Sequence, residues 1–149
     1  TQPHRDWGAK VTARFYLPID RAQAWTQLTN YRRWVEYLPA ISRSDVLSGG
    51  NRKRLYQVAS KSFLLFTAQV EIYLNVVETA HQQIQFQMES GSFQDFAANL
   101  LLQDSGNGTL LTYSVQATPS IPVPSILLQQ AIQLDLPNNL RNMRRVICQ

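Results

Sequence analysis

The chain has 149 residues, of which 44% are hydrophobic and 16% charged, and its formal net charge is +4. That length and balance suit one folded domain spanning residues 1–149 and argue against a disordered chain. The charge is too small to mark a nucleic-acid binder, and no apolar run nears the ~18 residues that cross a bilayer.

Thr1–Trp7 is polar and carries no signal-peptide core. The single cysteine, Cys148, excludes an internal disulfide and reads as a small residue in a fraying tail. The expected location is the cytoplasm.

In chain order, Val11, Ala13, Phe15 and Leu17 alternate with polar neighbours, which predicts a half-buried strand ended by Pro18. Asp20 is a good N-cap for a helix over Arg21 to Asn30, with Ala24, Trp25 and Leu28 on one face. A second short helix is expected from Tyr31 to Tyr37, stopped by Pro39. Strands are then expected at Ile41–Leu47, Arg54–Ser60, Thr67–Thr79, Gln83–Glu89, Phe93–Gln103 and Thr109–Thr118. Gly49-Gly50-Asn51 and Ser105-Gly106-Asn107-Gly108 supply turns. Alternation puts Ala68, Val70, Ile72, Leu74 and Val76 on one face, with Phe86, Phe96 and Tyr113 on the matching faces of later strands.

Pro119, Pro122 and Pro124 read as a stiff connector outside helix and ladder. Beyond it the period changes to that of a helix. Ile132, Leu136, Leu140, Met143 and Ile147 form one stripe, and Val123, Leu127, Ala131 and Leu134 an adjacent one. A long helix over Val123 to Ile147 is expected, kinked or broken at Pro137. Segregated helices and hairpin-linked strands make the chain α+β with a mostly antiparallel sheet.

Reactive motifs are absent from the sequence. His4 and His81 have no spaced ligand partners, so no metal is expected. There is no nucleophile elbow, no Cys–His pairing and no glycine-rich phosphate loop, so no cofactor is expected either. Glu71, Glu89 and Asp95 are the carboxylates to inspect for acid–base work, with exposed loop and strand positions as the plain reading. The inward faces read as almost wholly apolar, the hydroxyl of Tyr113 being the exception.

The stretch Leu17-Pro18-Ile19-Asp20-Arg21-Ala22-Gln23-Ala24-Trp25 is followed by Leu28-Thr29-Asn30-Tyr31 and then Trp34, Tyr37, Leu38 and Pro39. It resembles the opening of the helix-grip (SRPBCC) superfamily, which includes START lipid-transfer domains, Bet v 1, polyketide cyclases and coenzyme Q-binding proteins. The resemblance covers Lys10 to Ile147 and is nearest to the bacterial polyketide cyclase and coenzyme Q-binding branch. It implies a curved antiparallel sheet of about six or seven strands wrapped around a long C-terminal helix, with two short helices after the first strand and an apolar ligand cavity between.

The candidate wall of that cavity is Trp34, Tyr37, Phe63, Phe66, Phe86, Phe93, Phe96 and Tyr113, with Leu127 and Ala131 from the helix. Phe63-Leu64-Leu65-Phe66 breaks the alternation and reads either as a buried corner or as a gate in transient contact with a membrane. Arg52, Lys53 and Arg54, and Arg141, Arg144 and Arg145, are weighed as a ribosome or nucleic-acid contact against a solvated surface. The leading expectation is binding or transport of a hydrophobic small molecule such as a lipid, quinone or polyketide-like ring. The alternative is a cyclase or dehydratase in the same cavity.

Overall fold

Period-two alternation dominates the chain from residue 8 to residue 119, and in the computed structural model the backbone follows it into one sheet. The structure describes residues 2–4, 8–38, 40–50, 52–62, 67–119 and 138–148. Strands β1 (Gln2–His4) and β2 (Gly8–Leu17) precede helix α1 (Arg21–Leu28), a 3-10 turn (Tyr31–Arg33) and helix α2 (Trp34–Tyr37). Then come β3 (Ile41–Ser48), β4 (Arg52–Ser62), β5 (Thr67–Thr79), β6 (Gln83–Gly91), β7 (Phe93–Ser105) and β8 (Gly108–Pro119). Residues 138–147 form a further helix, α3.

The sheet order is β1-β2-β8-β7-β6-β5-β4-β3, and every neighbouring pair is antiparallel. The chain thus winds β3 through β8 as hairpins and closes β8 back onto β2. Register sets the inner face. Phe15 lies opposite Leu111, Leu111 opposite Leu102, and Phe86 opposite Ala98. Leu17, Leu55, Leu74, Val76, Ile84, Leu100 and Leu111 are almost wholly buried there. Met143, Val146 and Ile147 of α3 join the same buried cluster, so α3 caps the inner face. Leu140, Met143 and Ile147 fulfil the helical stripe read from the sequence.

The short helices are held by their ends. Asp20 caps α1 through its carboxylate, which accepts from the Gln23 amide at 2.7 Å. The helix stops at Leu28, two residues short of the expected Asn30. Two ring donors then serve carbonyls freed at that end: Trp34 Nε1 donates to Leu28 O at 2.9 Å and Tyr37 Oη to Gln27 O at 2.8 Å. At the end of α2, Asn142 Nδ2 of α3 donates to Glu36 O at 2.8 Å and Tyr37 O at 2.9 Å. This clasp ties the C-terminal helix to the front of the domain.

Three expectations need correction. The polar start of the chain contains a strand, β1, which pairs with β2 and brings the sheet to eight strands. Pro119 is the last residue of β8, opposite Phe93, and not part of a connector; a strand end tolerates the missing donor. Cys148 is not in a fraying tail: its amide donates to Arg144 O at 3.0 Å and its side chain packs, partly buried, against the core. Pro122, Pro124 and the Pro137 kink lie outside the described residues, as does the helix expected before residue 138.

Candidate ligand cavity

A sheet that curls around a helix leaves room where side chains do not meet. Here that room is a cavity of about 190 Å³, lined by Trp34, Leu38, Ile41, Gln57, Ala59, Val70, Ile72, Leu74, Phe86, Phe93, Phe96, Ala98 and Tyr113. The rings meet edge to face or tilted: Trp34 and Phe86 have centroids 5.5 Å apart, Phe93 and Phe96 5.4 Å. A second, larger depression of about 430 Å³ lies on the outer face of the sheet, among Lys10, Asn75, Gln85, Asn99, Ser114 and Gln116. Val77, Ala97 and Val115 also line it, and it is the more open of the two, so the smaller, more enclosed inner cavity with its ring walls is the candidate site.

Of the expected wall residues, Trp34, Phe86, Phe93, Phe96 and Tyr113 meet at this cavity. Tyr37 sits beside them in the core with no exposed surface, its hydroxyl spent on Gln27. Phe63, Phe66, Leu127 and Ala131 lie outside the described residues, as does the gate expected at 63–66. Tyr113 keeps some accessible surface because it faces the void, while burial pushes its pKa up to about 12. Among the described residues no group hydrogen-bonds its hydroxyl.

The inner face is more polar than its sequence suggests. Gln57 reaches the cavity and donates Nε2 to Ser44 Oγ at 3.0 Å. Ser44 in turn donates to the Tyr31 carbonyl at 2.6 Å. The Tyr31 hydroxyl donates to Glu78 Oε2 at 2.5 Å, and Lys53 Nζ donates to Glu78 Oε1 at 2.7 Å. Lys53 also lies over the Tyr31 ring, 5.8 Å from its centroid. Burial first, and then the bond to Glu78, raise the pKa of Tyr31. Sequence reading missed Gln57, Ser44 and Glu78, and weighed Lys53 only as a surface cation or nucleic-acid contact. The signal for two of them was present: Glu78 continues the Ile72, Leu74, Val76 face, and Gln57 is two residues from buried Leu55.

The carboxylates chosen from sequence are elsewhere. Glu71 is exposed and accepts from Tyr56 Oη at 2.7 Å. Glu89 is exposed and bound by both nitrogens of the Arg54 fork at 2.8 and 2.6 Å, which lowers its pKa. Asp95 is partly buried opposite Thr118. Two members of the first basic group are therefore engaged within the fold, Lys53 with Glu78 and Arg54 with Glu89. Arg141, Arg144 and Arg145 are exposed on α3. Among the described residues no three His, Cys, Asp or Glu side chains cluster as metal ligands, and no helix is long and apolar enough to cross a membrane.

Residues 17–144 match the family described as polyketide cyclase/dehydrase and lipid transport. Among curated protein sequences none matches the chain. Among solved structures, a Thermus thermophilus protein superposes with a TM-score of 0.77 at 18% identity, over 93% of this chain and 97% of its own. An aromatase/cyclase from Streptomyces sp. R1128 gives 0.77 at 8% identity, over 94% and 93%. A START superfamily protein from Mycobacterium smegmatis gives 0.73 at 14%, over 93% and 96%. At such identities the likeness speaks for a shared helix-grip fold, not for a shared ligand.

Proposed function

The chain belongs to the polyketide cyclase/dehydrase and lipid transport family, and from that premise we propose that it binds or carries a hydrophobic small molecule in the ring-walled cavity on the inner face of the sheet. The observation that carries this reading is the ring-walled void itself. Its described lining has Tyr113 as its only ionisable side chain. Binding there rests on burial of apolar surface, at about 25 cal/mol per Å², with few polar groups to fix orientation.

Turnover by a cyclase or dehydratase asks for an acid–base group at the reacting atom, near its working pKa. Tyr113 is held protonated at neutral pH and can donate but not abstract. Glu78 has both oxygens engaged, one by Tyr31 and one by Lys53. These features support a binding protein over an enzyme.

The test is an apolar fluorescent probe titrated onto the purified protein. Micromolar binding is expected, about −8 kcal/mol. Trp34→Ala and Phe96→Ala should each change that affinity. A protein that never binds such a probe, and that yields no co-purified apolar ligand by mass spectrometry, sinks the reading.

A further inference from the structure

The two polar side chains free to meet a ligand on the described cavity wall, Gln57 and Tyr113, are not equivalent, and their difference follows from the hydrogen-bond chain behind one of them. Ser44 commits its only hydroxyl proton to the Tyr31 carbonyl. Its oxygen is then left to accept, so Gln57 must present Nε2 to it, as observed. The orientation of the Gln57 amide is thereby fixed, with Oε1 directed away from Ser44. Among the described residues no donor serves that oxygen.

Tyr113 supplies the opposite polarity. Its hydroxyl stays protonated in the cavity and has no acceptor among the described residues. Gln57 is on β4 and Tyr113 on β8, with β5, β6 and β7 between them. On a flat sheet four strand spacings would separate them by ~19 Å. Curvature brings both onto one cavity of about 190 Å³. Between them lie Trp34, Ile72, Phe86 and Ala98, which offer nothing but apolar surface and ring faces.

We propose that the cavity is polarised, with Tyr113 as donor on one wall and Gln57 Oε1 as fixed acceptor on the other, and that it selects uncharged ring ligands bearing a carbonyl at one end and a hydroxyl at the other. The proposal rests on the cavity reading given above. An anionic ligand meets no cation on the described lining, so its desolvation goes uncompensated. A cavity of roughly 150 Å³ accepts benzene, so the volume here suits one substituted ring. Tyr113 and Gln57 are thus specificity-determining residues, and Ser44 is a positioning residue that acts through Gln57.

The experiment uses four single-ring compounds and the quenching of tryptophan fluorescence, since Trp34 lies on the wall. They are ethylbenzene, acetophenone, 4-hydroxyacetophenone and 4-hydroxybenzoic acid at neutral pH. The hydroxy ketone should bind tightest, the simple ketone about 3- to 10-fold more weakly, and the carboxylate weakest. Tyr113→Phe should weaken both ketones by a similar factor and leave the hydrocarbon unchanged. Gln57→Met should weaken only the hydroxy ketone. The hydrocarbon affinity of each variant reports whether its cavity is intact, and the wild-type ranking needs no variant at all. A carboxylate that binds as well as the hydroxy ketone overturns the proposal. So does a wild-type ranking that follows apolar area alone while ethylbenzene still binds, and in that case the cavity reading stands. If none of the four binds, both fall together.

Discussion

The hydroxyl of Tyr31 donates to Glu78 Oε2 at 2.5 Å, joining the 3-10 turn before α2 to the end of β5. Tyr31 is 1% exposed, and its ring meets Trp34 at 6.5 Å and Phe86 at 6.1 Å. The bond therefore holds the aromatic wall of the cavity from behind. Glu78 is charge-balanced by Lys53, whose side chain is 21% exposed against 11% for Glu78.

From this arrangement the cost of two substitutions can be ranked. Tyr31→Phe removes one hydrogen bond to a charged group but leaves the Lys53–Glu78 pair whole. About 1.5–3 kcal/mol of stability should be lost. Glu78→Leu strands the Lys53 ammonium beside the core, and breaking such a pair costs about 3–5 kcal/mol when burial is complete. The residual exposure of Lys53 puts the expected loss at the low end of that range. Urea denaturation of the two variants measures both. Equal and small losses would mean that the pair is solvated and the wall is held by packing alone.

Stability should also fall in alkali. The pKa values of Tyr31, Tyr37 and Tyr113 are all raised, burial being the largest cause in each. A tyrosine whose folded pKa lies above its unfolded value of about 10 favours folding while protonated. Its contribution is complete below pH ~10 and is lost as pH climbs toward the folded pKa. For Tyr113, raised to about 12, the loss comes between roughly pH 10 and 12 and amounts to about 2–3 kcal/mol. Urea midpoints compared at pH 8 and pH 11.5 should show the fall, and Tyr113→Phe should reduce it. A flat profile would place the Tyr113 hydroxyl in water.

What the sequence made legible and what it hid divide along a physical line. The Thr67–Thr79 strand was readable to the residue because five apolar side chains alternate without interruption. Asp20 announced α1 because an N-cap is a local device. Glu78 and Gln57 were hidden because a hydropathy pattern assigns polar residues to solvent, and each is drawn inward, half-buried, by partners from β3, β4 and the 3-10 turn. Those partnerships are set by register, which no single strand encodes. Strand β1 was hidden for the same reason: its pairing depends on β2 and not on any apolar face of its own. Trp34 and Tyr37 looked alike in sequence, yet only Trp34 lies on the cavity wall. The two are neighbours three residues apart on α2, with ring centroids 6.2 Å apart, but the Tyr37 hydroxyl is turned to the Gln27 carbonyl at the end of α1.

Filling the cavity should separate ligand binding from folding. Ala98 is on β7, opposite Phe86, and lines the void. Ala98→Val adds two carbons that the empty volume can accept, and each buried methylene is worth about 0.8 kcal/mol. Apolar probe binding should weaken at least about tenfold, as a Kd shift of about 1.4 kcal/mol implies, while the urea midpoint stays level or rises. A midpoint that drops by the roughly 1–3 kcal/mol typical of overpacking would mean that the space around Ala98 is already filled.

At the cavity wall, the place where β6 hands over to β7 should be intolerant of any side chain. Gly91 has φ +147°, and a Cβ built there would stand 2.5 Å from the Glu71 carbonyl oxygen and 2.8 Å from Ile72 Cα. The backbone is drawn in by two hydrogen bonds, Ser92 N to Glu71 O at 2.9 Å and Glu71 N to Ser92 Oγ at 3.1 Å. Both contacts of the imagined Cβ are backbone, so no rotamer change relieves them. Gly91→Ala must therefore either strain the residue or push β6 off β5, breaking the pairing of Gly91 with Ile72. Strain of this kind costs about 1–3 kcal/mol. Gly106 is the control, because its φ is +58° with open space around it, and alanine there should cost only the left-handed penalty of about 1–2 kcal/mol. The two variants also differ in reach. Ile72, paired with Gly91, and Phe93, two residues beyond it, both line the cavity. Gly91→Ala should therefore weaken apolar probe binding, whereas Gly106→Ala, in a remote turn, should leave it unchanged. Equal effects of the two substitutions on binding would show that the β6–β7 corner does not shape the cavity.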